Sequence, residues 1–170
     1  MKKVMMMLVT VLLMAACATL TPEEKAAREA AAREYVKTAV ATQRYKISLN
    51  TMRPMRGSNL PITNAWLKAD SNIVECLMPY RGLDDIPHLK TPGMVRDESK
   101  FEFKSEISDY VLNIQPAEER AIVSFKADNH GFDCKFTIII ENSGVVKMHV
   151  DTEKRDFIDY EGYIVIPKLK

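Results

Sequence analysis

The sequence predicts a mainly β protein: an antiparallel meander closed as a small barrel or packed as a sandwich, preceded by one N-terminal α-helix. Three observations carry this expectation. From Gln43 onward apolar residues recur at every second position, as in Tyr45, Ile47 and Leu49 against Lys46, Ser48 and Asn50, the period of a strand with one face on a core. Turn-forming clusters, among them Asp70-Ser71-Asn72, Asn129-His130-Gly131 and Asn142-Ser143-Gly144, punctuate the runs. Ahead of them lies an alanine-rich stretch that opens with a helix-start pattern.

The chain opens with Lys2 and Lys3, an apolar run from Val4 to Leu13, and the small-residue approach Met14-Ala15-Ala16 before Cys17. This is the layout of an export leader, and about ten apolar residues are too few to span a bilayer as a helix. With Cys17 directly after the small pair, the stretch resembles the bacterial lipobox, although Met14 stands where Leu is usual. Residues 1–16 are therefore expected to be a lipoprotein signal peptide and Cys17 the lipidated residue, each buried CH₂ of its acyl chains adding about 0.8 kcal/mol to membrane retention.

Residues 17–42 are expected to form the lipid anchor and a helical stalk. Thr21 caps, Pro22 loses nothing at the first helical position, and Glu24 closes a capping box. Alanines keep propensity high, with Glu24 to Arg28 and Glu29 to Arg33 four apart. The early turns lack a large apolar stripe, whereas Tyr35, Val36, Ala39 and Val40 gather on one side, so the late turns are expected to dock.

Residues 43–170 are expected to be the β domain. After the first strand, candidates are 64–70 around Trp66, 73–78, 100–104, 108–114, 119–126, 132–140 and 145–150, then one or two more between Phe157 and Ile166. A flat sheet of about eight or nine strands leaves edges and one face uncovered, which is why closure or a sandwich is expected.

Composition bounds function. At 170 residues there is room for one ordinary domain. The balance of 24 Lys+Arg against 23 Asp+Glu gives no field to attract a polyanion, so no nucleic-acid partner is expected.

The order of motifs "TMRPMRG", "LMPYRG", "FKSEISDY", "SFKA" and "KFTIIIENSG", with an aromatic-bearing last strand, resembles a Bacteroidetes lipoprotein family, domain of unknown function 4251. The likeness spans nearly all of residues 20–165 and is most specific at Met52 to Gly57 and at Ile107-Ser108-Asp109-Tyr110. Where the family usually carries a glycine-rich stretch, this chain has "HLKTPGMVRDESK". The resemblance implies an exported, lipid-anchored β domain of lipocalin-like topology, and it implies no activity. By analogy with lipoproteins of that phylum, the absence of an acidic run after Cys17 points to an outer-membrane anchor facing the periplasm.

Few residues suggest chemistry. Arg53 and Arg56 offer forked donors to a carboxylate or phosphate beside adaptable methionines, and Tyr80-Arg81 opens a long aperiodic stretch. These four form a candidate recognition loop, against the alternative of a strand exit with solvated arginines. Asp84, Asp85 and His88 are too few, without a partner motif, to predict a metal. His130 falls in a turn and His149 on a water-facing strand position. No G-x-S-x-G, H-E-x-x-H or phosphate loop occurs, so neither an enzyme nor a cofactor is expected. Cys76 and Cys134 share parity with apolar neighbours. They are either a disulfide closing a loop of about 58 residues or two separate buried thiols.

Two functions stay open: a module binding a small ligand or an envelope protein, and a structural subunit of the envelope. An apolar pocket beside the 80–99 stretch distinguishes the first. An interior filled by Trp66, Phe101, Phe103 and Phe136 distinguishes the second.

Overall fold

In a computed structural model, described for residues 21–82, 100–153 and 155–167, the alternation becomes eight antiparallel strands behind one helix. The expected signal peptide, Cys17 and the Asp84-Asp85-His88 cluster lie outside the described residues. The chain divides after Ala31 into two compact units.

Helix α1 spans Pro22–Ala41. At its start the reciprocal cap forms: the Thr21 N–H donates to Glu24 Oε2 at 2.9 Å and the Glu24 N–H to Thr21 Oγ1 at 3.2 Å. Residues 21–24 and 26–30 are exposed. In the second unit, Val36, Ala39 and Val40 are buried with the barrel core. The helix ends where the Thr42 hydroxyl donates to the Thr38 carbonyl at 2.8 Å and Gln43 turns left-handed at φ 54°.

The strands are β1 Arg44–Pro54, β2 Leu60–Asp70, β3 Ile73–Pro79, β4 Lys100–Gln115, β5 Arg120–Asp128, β6 Asp133–Glu141, β7 Val145–Thr152 and β8 Arg155–Ile164. Each pairs antiparallel with the next and β8 pairs back on β1, so the sheet is a closed barrel, not a sandwich. Closure removes every edge.

Three expectations change. The stretches 100–104 and 108–114 are one strand, β4, whose register slips between Ser108 and Val111 where Asp109 takes φ 52°. This bulge exchanges the two faces, so Phe101 and Phe103 point inward before it and Tyr110 and Leu112 after it. Likewise β2 begins at Leu60, four residues before its clear alternation, because Asn64 at φ 57° re-phases it. That phase turns Ala65, Leu67 and Ala69 inward and Trp66 outward, where the Lys46 ammonium sits 4.9 Å from its ring centroid. Trp66 is not a core residue. The C-terminal stretch forms a single strand.

Eight strands enclose a space that side chains just fill. Phe101, Phe136, Met78, Ile138, Val150 and Ile158 are all 0 % accessible to a water-sized probe, so no water-sized void borders these inner-face side chains. Phe125 and Phe136 stack at 4.9 Å, and Phe103 lies 6.3 Å from Phe136. Among the described residues this inner-face cluster is closely packed.

An up-and-down barrel separates its connections into two groups. The β1–β2, β3–β4, β5–β6 and β7–β8 connections share one end, the loop end. The remaining connections and the last turns of α1 share the other, the helix end, where the Tyr110 hydroxyl donates to the Val40 carbonyl at 3.5 Å.

Candidate functional site

The cavities lined by the described residues lie at the barrel's ends and on its outer wall. At the loop end, Pro54, Arg56, Gly57, Ser58, Leu60, Arg81, Gly82 and Asp156 line a cleft of about 450 Å³. Strand β1 delivers Arg56 just past its last residue, Pro54, whose missing N–H suits a strand end. Gly57, at φ 134° with open space around its Cα, then turns the chain back toward β2. Strand β3 delivers Tyr80, Arg81 and Gly82, and the start of β8 delivers Asp156.

The four residues of the expected recognition loop separate. Arg56 and Arg81 both line the cleft. Arg53 does not join them: it stands on the outer face of β1, donating to Asn59 Oδ1 at 2.9 Å and pairing with Glu161 at 3.4 Å. Tyr80 is 4 % exposed, so it supports the cleft from beneath instead of facing a ligand. Its hydroxyl donates to the Asp156 carbonyl at 3.2 Å, its ring meets Phe101 edge-on at 5.2 Å, and the Arg155 guanidinium lies 5.1 Å from its centroid. Gly82 is required here, because a Cβ in its place would stand 2.3 Å from the Tyr80 hydroxyl.

Arg56 Nε is 3.8 Å from Asp156 Oδ2, whose side chain is only 15 % exposed, whereas Arg81 has no ion-pair partner among the described residues. Among the described residues the cleft carries two guanidiniums and one carboxylate, Asp156, and so offers forked donors. Such a set recognises carboxylate or phosphate oxygens. No group of three or more metal-ligating side chains occurs among the described residues. No helix described is long and apolar enough to cross a membrane.

Asp156 and Gly82 escaped sequence reading. The signal that finds them is topological: counting hairpins puts the start of β8 at the same end as the β1–β2 loop, although about a hundred residues separate them.

His130 lies in the β5–β6 turn with Nε2 3.4 Å from the Glu102 carbonyl. His149 stands half-exposed on the outer wall, its Nδ1 2.7 Å from Asp159 Oδ1 and its ring 5.1 Å from Phe157. Neither approaches a nucleophile.

Cys76 and Cys134 are both buried and stand as separate free thiols in this structure. Burial pushes the Cys134 thiol up to about 12 from 9.0, against the pull of the Arg155 guanidinium, and raises Cys76 as well. Buried neutral thiols are inert toward exchange. Their linkage has a definite sign. The unfolded thiol ionises near 9 while the native one stays protonated, so their contribution is complete below that pH and is lost as pH rises toward 12. Tyr45 and Tyr160, raised above 10.0 by burial, act in the same direction. The urea midpoint is expected to fall between pH 8 and pH 10.5, each group contributing up to about 1.4 kcal/mol per pH unit within its window. Cys134→Ala should flatten the decline, and a midpoint constant over that range would contradict the assignment.

Comparison with known proteins gives family and fold. A family model described as Domain of unknown function (DUF4251) matches residues 27–164. The crystal structure of a DUF4251 family protein from Bacteroides eggerthii is similar at TM-score 0.60 and 11% identity, covering 82% of this chain and 90% of that one. No curated protein matches the chain.

Proposed function

This chain belongs to the DUF4251 family, and from that premise we propose that it is an exported, lipid-anchored envelope protein that binds an anionic group at the loop end of its barrel. The observation that carries the reading is the cleft that Arg56 and Arg81 both line, over a closely packed inner-face cluster. The setting is supported by the leader, in which a basic start, an apolar run and Met14-Ala15-Ala16 precede Cys17. On this reading residues 1–16 are removed, Cys17 carries the lipid, and the protein faces the periplasm from the outer membrane. The barrel is a scaffold for recognition and performs no reaction. Its partner is a small anion or the acidic surface of an envelope protein.

The chemistry is that of charge-assisted hydrogen bonding. An incoming carboxylate or phosphate replaces water at Arg81 and competes with Asp156 for Arg56. Calorimetric titration of the full chain with inorganic phosphate and with succinate tests this. A charge-assisted hydrogen bond contributes about 1.5–3 kcal/mol, so Arg56→Ala and Arg81→Ala should each weaken binding about tenfold or more. Arg53→Ala, outside the cleft, should leave it unchanged. Absence of binding by wild type, or equal binding by all three variants, overturns the reading.

The packed interior favours a second reading, a structural subunit that contacts its neighbours by the outer wall. It predicts silent titrations and cross-links to an envelope protein from outer-wall positions such as Tyr163, not from the cleft.

A further inference from the structure

At the helix end, the last turns of α1 and the β4–β5 turn enclose a groove of about 650 Å³, within the roughly 300–1,000 Å³ of small-molecule sites. We propose that this groove binds a free long-chain fatty acid, its carboxylate held by Arg33 and Lys37 and its tail laid along Ile114, Ala121 and Ile140.

The tail's track is set by register. Ile114 pairs with Ala121 across β4 and β5, and Ala121 pairs with Ile140 across β5 and β6, so the three form one continuous apolar row perpendicular to the strands. Such a row, with neighbours about 4.8 Å apart, suits an extended hydrocarbon chain. Val36 and Val40 supply the opposite wall from α1. Ile114 is the telling member: it shares the inward parity of Tyr110 and Leu112, yet it is 59% exposed. A large aliphatic side chain open within a concave apolar groove is a contact left for an occupant.

The head group follows from charge. Arg33 and Lys37 stand one helical turn apart on the groove wall, both exposed and neither in an ion pair among the described residues. Arg120, on the opposite side, is already held by Gln115 Oε1 at 2.8 Å and by Glu118. Glu119 lines the groove near Arg120, which places the unneutralised positive charge on the helix side. One anionic head beside one apolar chain matches that arrangement. A flat bilayer does not, because the apolar row lies in a recess instead of on a projecting face. The inference rests on neither the loop-end cleft nor the lipid at Cys17.

The test uses the full chain in phosphatidylcholine nanodiscs, photolysed with a diazirine-bearing palmitic acid, the labelled residues being located by mass spectrometry. Labels are expected on Ile114 and Ala121, the members of the row that are open to the groove. Charge reversal in Arg33→Glu/Lys37→Glu should reduce labelling about tenfold, the loss expected for a charge-assisted contact. These side chains are exposed, so folding should persist, as circular dichroism can verify. Ala121→Trp should block labelling sterically, while Arg81→Ala should leave it intact. A matched diazirine alcohol that labels equally would overturn the assignment of the head group. A matched diazirine phospholipid that labels better would overturn the free acid as occupant. Labels elsewhere, or insensitivity to both groove variants, would overturn the site.

Discussion

Gly162→Ala is expected to destabilise the barrel by about 3 kcal/mol, at the upper end of what overpacking a core costs. Gly162 faces the interior of β8, opposite Leu49 of β1, in the one strand pair that closes the sheet. A Cβ there would stand 2.1 Å from the Ser48 carbonyl oxygen and 2.9 Å from the Leu49 Cα. Both are backbone atoms, so no rotamer change relieves the clash and the strands must separate. The ladder is already irregular at this point, its register shifting between Leu49 and Thr51, and the β1 backbone lies so close to Gly162 that only hydrogen fits between them. Separation would expose two strand edges, which adds aggregation to lost stability. Urea unfolding monitored by circular dichroism measures the effect, with Tyr163→Ala as the exposed neighbour expected to stay within about 0.5 kcal/mol. An unchanged midpoint for Gly162→Ala would mean that the β1–β8 seam is looser than described.

That same seam marks where sequence reading stops. Alternation is a local property, and it located most strand interiors: Tyr45, Ile47 and Leu49 are the inward face of β1. Closure pairs Leu49 with Gly162, more than a hundred residues away, and leaves no local trace except a glycine, so barrel and sandwich could not be separated. Bulges defeated alternation in another way. Asp109 and Asn64, both left-handed, shift the phase by one residue, so alternation alone divides β4 in two and misses the first four residues of β2. The site was half legible. Arg56 and Arg81 drew notice through their chemistry, but a carboxylate on a distant strand and a glycine relieved by Tyr80 are visible only once the hairpins are stacked.

Phe136→Ala is expected to cost about 4 kcal/mol, the range for removing a buried aromatic ring. The ring is fully buried and sits at the centre of a stack, with Phe125 at 4.9 Å and nearly parallel and Phe103 at 6.3 Å. Phe125 in turn stacks on Tyr110 at 6.3 Å, and the Tyr110 hydroxyl bonds the Val40 carbonyl. One line of rings therefore joins β6, β5 and β4 to the last turn of α1, and deleting its centre loosens the helix end along with the lumen. Phe136→Leu keeps most of the volume and should cost less than half as much. The Ala variant should also contain a dry apolar cavity, so saturating benzene should recover part of its lost stability. The comparison bears on function as well as folding. If Phe136→Ala cost under about 1 kcal/mol, far below the range for such a site, the lumen would not be tightly packed. An interior ligand site would then compete with the loop-end cleft, and recognition would no longer fall to Arg56 and Arg81.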